Sequence, residues 1–202
     1  MVIYYVNNEI DLSNSFSITF QTYEINSKIK IFNPICIELS SFFRSMGLNK
    51  KFSLLFNSNS ENYKDVNIKG KENFSLLYVF KLKDPKYLLF YTSKASTSEY
   101  SFDNFIEDNK AKLFLVEDKR EQFTVDIKEF NIKPNYADKA IKLSAKDKEY
   151  LVLGNDEIKL KLVNPKYEEI IVKESSFCYE YKIEFLKELR NQRIEEVEIW
   201  KV

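Results

Sequence analysis

The chain has 202 residues, 44% of them hydrophobic, and its 31 basic and 31 acidic side chains cancel to a formal charge of zero. That is enough apolar content for a sizeable core in one domain or two small ones, and the cancelled charge leaves no whole-molecule pull toward nucleic acid or membrane, only room for a local basic face. Histidine is absent, which excludes Ser-His-Asp and Cys-His catalysis and leaves a zinc site only carboxylates and two cysteines.

Three Gly and four Pro against 17 Phe and 13 Tyr describe a β-rich globular chain. The opening MVIYYVNNE has no basic start and a short apolar run, so residues 2–6 read as a first strand of a cytoplasmic protein, not as a signal peptide or membrane span. Strands follow at 16–23 and 28–32, where apolar residues alternate. Asn33, Pro34 and Gly47 then bracket a helix over 34–46, with Leu39, Phe42, Phe43 and Met46 on its inner face. After a strand at 52–56, the polar stretch 57–71 reads as a loop.

Further strands are expected at 74–82, 87–91, 113–116, 123–127, 140–143, 150–153, 158–163, 167–172 and 197–200. SKASTS at 93–98 is the best linker, a short helix is expected over 103–109, and Gly154-Asn155-Asp156 is a tight turn. A final helix over 184–192 gathers Phe185, Leu186 and Leu189 within about 100° of arc, flanked by Lys187 and Arg190 on one side and Glu184 and Glu188 on the other. Cys36 and Cys178 lack metal-ligand spacing and read as buried reduced thiols, with a long-range disulfide as the alternative.

KLKDPKY at 81–87 returns as KLVNPKY at 161–167, 80 residues later, each time between two β-rich runs. A fainter match joins Ile37-Glu38-Leu39 to Ile183-Glu184-Phe185. Internal duplication is one reading and coincidence in a Lys-, Leu-, Phe- and Glu-rich chain is the other. Duplication predicts two similar halves, a β-rich 1–92 with its helix near 34–46 and a β-rich 101–202 with its helix near 184–192, joined by 93–100. Residues 74–116 and 154–200 should then overlay. The fold class expected is α+β, mostly antiparallel sheet with two or three short helices.

The closing IIVKESSFCYEYKIEFLKELRNQRIEEVEIW, the preceding KAIKLSAKDKEYLVLGNDEIKLKLV and the upstream FNPICIELSSFFRSMGLNKKFSLLF resemble, in pattern and order, the helix-and-strand units of DNA sliding clamps, the proliferating cell nuclear antigen and phage clamp group. The resemblance implies a ring of subunits around duplex DNA, short helices lining the hole, and terminal edge strands (2–6 or 197–200) pairing between subunits. Sliding needs nonspecific phosphate contacts from Lys and Arg. The DNA-binding candidates are Arg44 on the first helix, Lys187 and Arg190 on the last, and Lys110 and Lys112 beside the middle one. The bland reading of the same residues is solvated helix flanks, with Glu184 and Lys187 as an exposed ion pair worth under about 1 kcal/mol.

Other constellations carry less. Glu168-Glu169 and Glu195-Glu196 are adjacent acids on strands, which face opposite sides and make no acid/base couple. Phe74, Tyr78, Phe80, Tyr87, Phe90 and Tyr91 would suit base stacking, but core packing explains them as well. No glycine-rich phosphate loop occurs, and no cofactor or metal is expected. The expectation is a non-enzymatic, clamp-like scaffold or processivity factor for DNA replication, contacting duplex DNA without sequence preference and forming a homo-oligomer, with protein partners and no membrane. The alternative is a β-rich accessory or inhibitor module that binds a protein by surface contact. The Lys-, Asn- and Ile-heavy composition points to AT-rich coding, as in a low-GC bacterium or its phage.

Overall fold

A computed structural model describes residues 53–59, 75–83, 86–94, 104–119, 124–143, 150–162, 164–166, 168–174 and 177–202. The strands expected at 2–6, 16–23 and 28–32, the helix over 34–46 with Arg44, Cys36 and residues 95–100 of the linker lie outside them.

Each strand expected within the described residues forms except that at 167–172, which breaks into two short strands, and all described pairings are antiparallel. They are β1 Ser53–Asn57, β2 Leu76–Leu82, β3 Lys86–Thr92, β4 Lys112–Lys119, β5 Thr124–Asn131, β6 Ile141–Leu143, β7 Tyr150–Leu153, β8 Ile158–Lys161, β9 Glu168–Glu169, β10 Ile171–Val172 and β11 Arg193–Lys201. The first sheet has seven strands in the order β1-β11-β2-β3-β4-β5, with the short β9 also on β11, and the second runs β10-β8-β7-β6. Strands from both sides of residues 93–100 thus share one sheet.

β2 and β3 read almost continuously apolar, LLYVFKL and KYLLFYT, because both faces of these central strands are buried. One face of the large sheet (Tyr78, Phe80, Leu88, Phe90, Leu113, Leu115) packs in a common core with Ile141, Leu151, Leu153, Ile158 and Leu160 of the small sheet. The other face buries Leu77, Val79, Leu89, Phe114, Val116 and Trp200. Burying even two such side chains is worth about 3 kcal/mol or more, so this core dominates the fold's stability.

The segment 168–172 is split between the sheets. β9 pairs with β11 in the large sheet, β10 pairs with β8 in the small one, and between them Ile170 is buried in the shared core. This settles the setting of the repeated heptapeptide. The first copy closes the β2–β3 hairpin, with Lys81 opposite Tyr87, whereas the second leads out of β8 in one sheet into β9 in the other and passes through Asn164 at φ 48°. The overlay expected of residues 74–116 and 154–200 is not met by these settings.

Two helical segments are described. Pro134–Lys139 is a 3-10 helix opened by its proline, and α1, Ile183–Arg190, is the last helix expected, shifted by one or two residues. Phe185, Leu186 and Leu189 of α1 are buried, as its apolar arc requires, while Glu184 in the first turn and Lys187 and Arg190 in the last complement the helix dipole. The helix expected over 103–109 is absent from 104–109. Ile106 instead bridges Ile141, and the Asp108 carboxylate accepts the Lys110 N–H at 2.9 Å, a local turn that competes with helix formation. Residues 197–200 are not an edge either, since β11 lies between β1 and β2.

Candidate functional site

Of the expected DNA-binding residues, two share one helix and a third lies on another face of the large sheet. Lys187 and Arg190 lie exposed on α1. Arg190 is held by Glu174 at 3.0 Å, and Lys187 makes no ion pair among the described residues, so the expected pair with Glu184 does not form. Lys112 pairs with Glu129 on β5, and Lys110 stands exposed in the turn set by Asp108. Strand alternation decides the geometry. Leu113 and Leu115 of β4 face the shared core on which α1 packs, so Lys112 projects from the opposite face of the large sheet. Lys112 therefore cannot join Lys187 and Arg190 on one concave surface. Arg44 lies outside the described residues.

The paired acids also separate. Glu168 binds Lys161 at 2.9 Å and Glu169 binds Arg193 at 3.2 Å. Glu195 binds Lys81 at 2.7 Å, and that hydrogen bond raises the Lys81 pKa against the opposing effect of burial. Tyr78, Phe80, Tyr87 and Phe90 are core residues, and Cys178 is a buried thiol.

Three fully buried carboxylates were not visible in the sequence. Asp108 accepts the Thr92 hydroxyl, the Ser93 N–H and the Ser93 hydroxyl, each at 2.7 Å, and so ties the end of β3 to the segment before β4. Its signal was the Asp-Asn-Lys turn at 108–110. Glu198 accepts Asn57 Nδ2 at 2.9 Å and Trp200 Nε1 at 3.1 Å, while the same amide also reaches Glu196 at 2.9 Å. Glu157 accepts the Cys178 N–H on both oxygens and the Tyr181 hydroxyl on Oε2. Burial, then the Glu157 bond, pushes the Tyr181 pKa far above the ordinary phenol value. Burial, then nearby Asp108, does the same to Tyr179, whose hydroxyl donates to the Ala140 carbonyl at 2.9 Å. Each carboxylate is occupied by donors that hold the fold together. Among the described residues, no three Cys, Asp or Glu are grouped to hold a metal, and no helix is long and apolar enough to cross a membrane.

Among the described residues, a shallow groove of about 440 Å³ lies between β5 and α1. Its floor is Phe130 and Phe185, whose rings sit 4.5 Å apart, and its rim carries Lys128 and Lys182 against Glu180, Glu184 and Glu188. Glu188 is fixed by Lys86, and Glu180 accepts the Asn131 amide at 3.1 Å. The floor continues inward as aromatic contacts from Phe185 to Tyr181, Tyr179 and Phe90, so the groove rests on rigid packing. An aromatic floor within a rim of both signs suits an apolar side chain flanked by charge more than a phosphate backbone.

No protein-family model matches the chain, and no curated protein matches it.

Proposed function

We propose that this chain is a non-enzymatic binding module that acts by surface contact with a protein partner, through the groove between β5 and α1. The observation that carries this reading is the opposite placement of Lys112 and α1 on the large sheet, together with the mixed charge around Phe130 and Phe185. A nonspecific duplex surface needs one unbroken positive face, whereas here Arg190 and Lys112 are each neutralised by a neighbouring acid.

The competing reading is the clamp-like scaffold around duplex DNA, for which Lys187 and Arg190 on α1 remain the candidate contacts. Duplex retention measured at low and high salt separates the two. The expected result is no salt-sensitive retention, and none gained or lost in the double variant Lys187→Glu, Arg190→Glu. Salt-sensitive retention that disappears in that variant overturns the proposal in favour of the clamp. In the positive arm, a photoreactive residue at position 182, on the groove rim, should trap one defined protein in source cells. The same group at position 139, on the 3-10 helix, should not trap it. Failure to trap any protein from position 182 counts against the groove.

A further inference from the structure

Among the described strands β5 lies at the end of the large sheet, and it pairs with β4 along its whole length, without a register shift, from Lys119 opposite Thr124 to Lys112 opposite Asn131. Among the described residues its other edge is engaged only at the C-terminal end. There the Glu180 N–H donates to the Asn131 carbonyl at 2.9 Å and the Lys133 N–H donates to the Cys178 carbonyl at 2.8 Å, while the intervening Ile132 N–H turns inward to Ala111 at 3.3 Å. These bonds fix the parity of the strand. Odd-numbered residues direct their backbone outward, so the N–H and C=O groups of Val125, Ile127 and Glu129 face away from the sheet. Among the described residues nothing pairs with them. The strand is eight residues long and carries neither proline nor bulge, two of the usual guards on a free edge.

Its charges select the partner. When an antiparallel strand meets its own copy across a two-fold axis, one residue faces itself and its neighbours cross over. An axis at Asp126, Lys128 or Glu129 sets like charges against each other. With the axis at Ile127 the conflict vanishes, since isoleucine meets isoleucine and Asp126 of each copy lies opposite Lys128 of the other. The parity agrees as well. Ile127 becomes a hydrogen-bonded pair, backed by Val125 with Glu129 on either side, and the Asp126–Lys128 pairs fall at the non-hydrogen-bonded positions, where side chains approach most closely. Lys128 is exposed with no ion pair among the described residues, and Asp126 has only the loose contact to Lys119 at 3.8 Å.

We propose that two copies of this chain join through their β5 edges, in register about Ile127, to continue the seven-stranded sheet across a dyad. The inference does not require the groove to hold a partner, although Lys128, which forms the crossing pairs, also stands on the groove rim. A short strand pair buries less than the roughly 1,600 Å² of a standard stable interface, so the dimer is weak and forms at high micromolar concentration.

Sedimentation velocity across a concentration series tests it. Asp126→Lys or Lys128→Asp alone puts like charges at both crossing pairs and should weaken self-association by about tenfold or more. In an equimolar mixture of these two variants, every crossing pair of the mixed dimer again sets a basic side chain against an acidic one, so the mixture should dimerise as the parent chain does. Ile127→Pro removes an outward N–H that β4 does not use, so it should leave the fold intact and abolish the dimer. Amide exchange at Ile127 and Glu129 should slow as concentration rises. A chain that stays monomeric to about 1 mM, or a dimer that none of these changes affects, overturns the proposal. So does a mixture that fails to associate although both variants are folded.

Discussion

Both oxygens of the Glu157 carboxylate accept the backbone N–H of Cys178, Oε2 at 2.9 Å and Oε1 at 3.1 Å. The contact ties the β7–β8 turn to a segment whose preceding residue, Phe177, sits at φ 50°, a strained conformation for a bulky side chain. Removing the acceptor should therefore cost more than an ordinary hydrogen bond. Glu157→Ala is expected to lower unfolding free energy by about 3 kcal/mol, and Glu157→Gln by less, since the amide oxygen still accepts. Urea unfolding checks this, and an alanine loss under about 1 kcal/mol would mean that the strain at Phe177 is held elsewhere.

Gly154 is a second test of the same turn. It sits at φ 55°, and a Cβ there would lie 2.8 Å from Glu157 Oε2 and 3.1 Å from Cys178 Cβ. Gly154→Ala meets both left-handed strain and a displaced carboxylate, so a loss of about 2 kcal/mol or more is expected from thermal unfolding. A neutral result would show that the turn relaxes freely.

Alkaline stability follows from Tyr179 and Tyr181. Both have folded-state pKa values raised above the unfolded value, chiefly by burial. The neutral phenol is the form the fold favours, so their contribution is fully present below the unfolded pKa of about 10 and is lost as pH rises above it. If both stay protonated in the fold, stability falls by about 2.7 kcal/mol per pH unit in that range. Ultraviolet phenolate absorbance should show them ionising only with cooperative unfolding. Smooth titration of every tyrosine in folded protein contradicts this.

Trp200, the only tryptophan, is 1% exposed and donates to Glu198 on the buried face away from α1. Its emission should be blue-shifted and resist acrylamide quenching until unfolding. Asn57 bridges the Glu196 and Glu198 carboxylates. Asn57→Ala removes that shared donor and leaves two acids facing one another, at an expected cost of about 2 kcal/mol in denaturant unfolding followed by this fluorescence.

Much of the secondary structure was legible because periodicity is local. Alternation and aromatic content marked β1 to β8 and β11, with β9 and β10 read as one strand, Gly154-Asn155-Asp156 became a left-handed turn, and the spacing of Phe185, Leu186 and Leu189 marked the buried face of α1. The failure over 103–109 has a partly local cause too, for the Asp108 side chain captured the Lys110 N–H, while the Ile106 and Asp108 N–H groups donate to the Ile141 and Ala137 carbonyls.

Strand order was not legible, because alternation says which face a residue shows and nothing about which strand lies beside it. The near-identical heptapeptides at 81–87 and 161–167 make the point. After the first, the chain turns back beside β2, while after the second it meets the flank of β11, a strand that begins more than two dozen residues later. The same separation in sequence hid Asn57 from Glu198, and Glu157 from Cys178 and Tyr181. It also hid the sheet that divides Lys112 from α1. Local chemistry determined the elements of this protein. Only their burial against distant strands decided which charges are spent inside the fold and, among the described residues, which strand, β5, lies at the end of the large sheet.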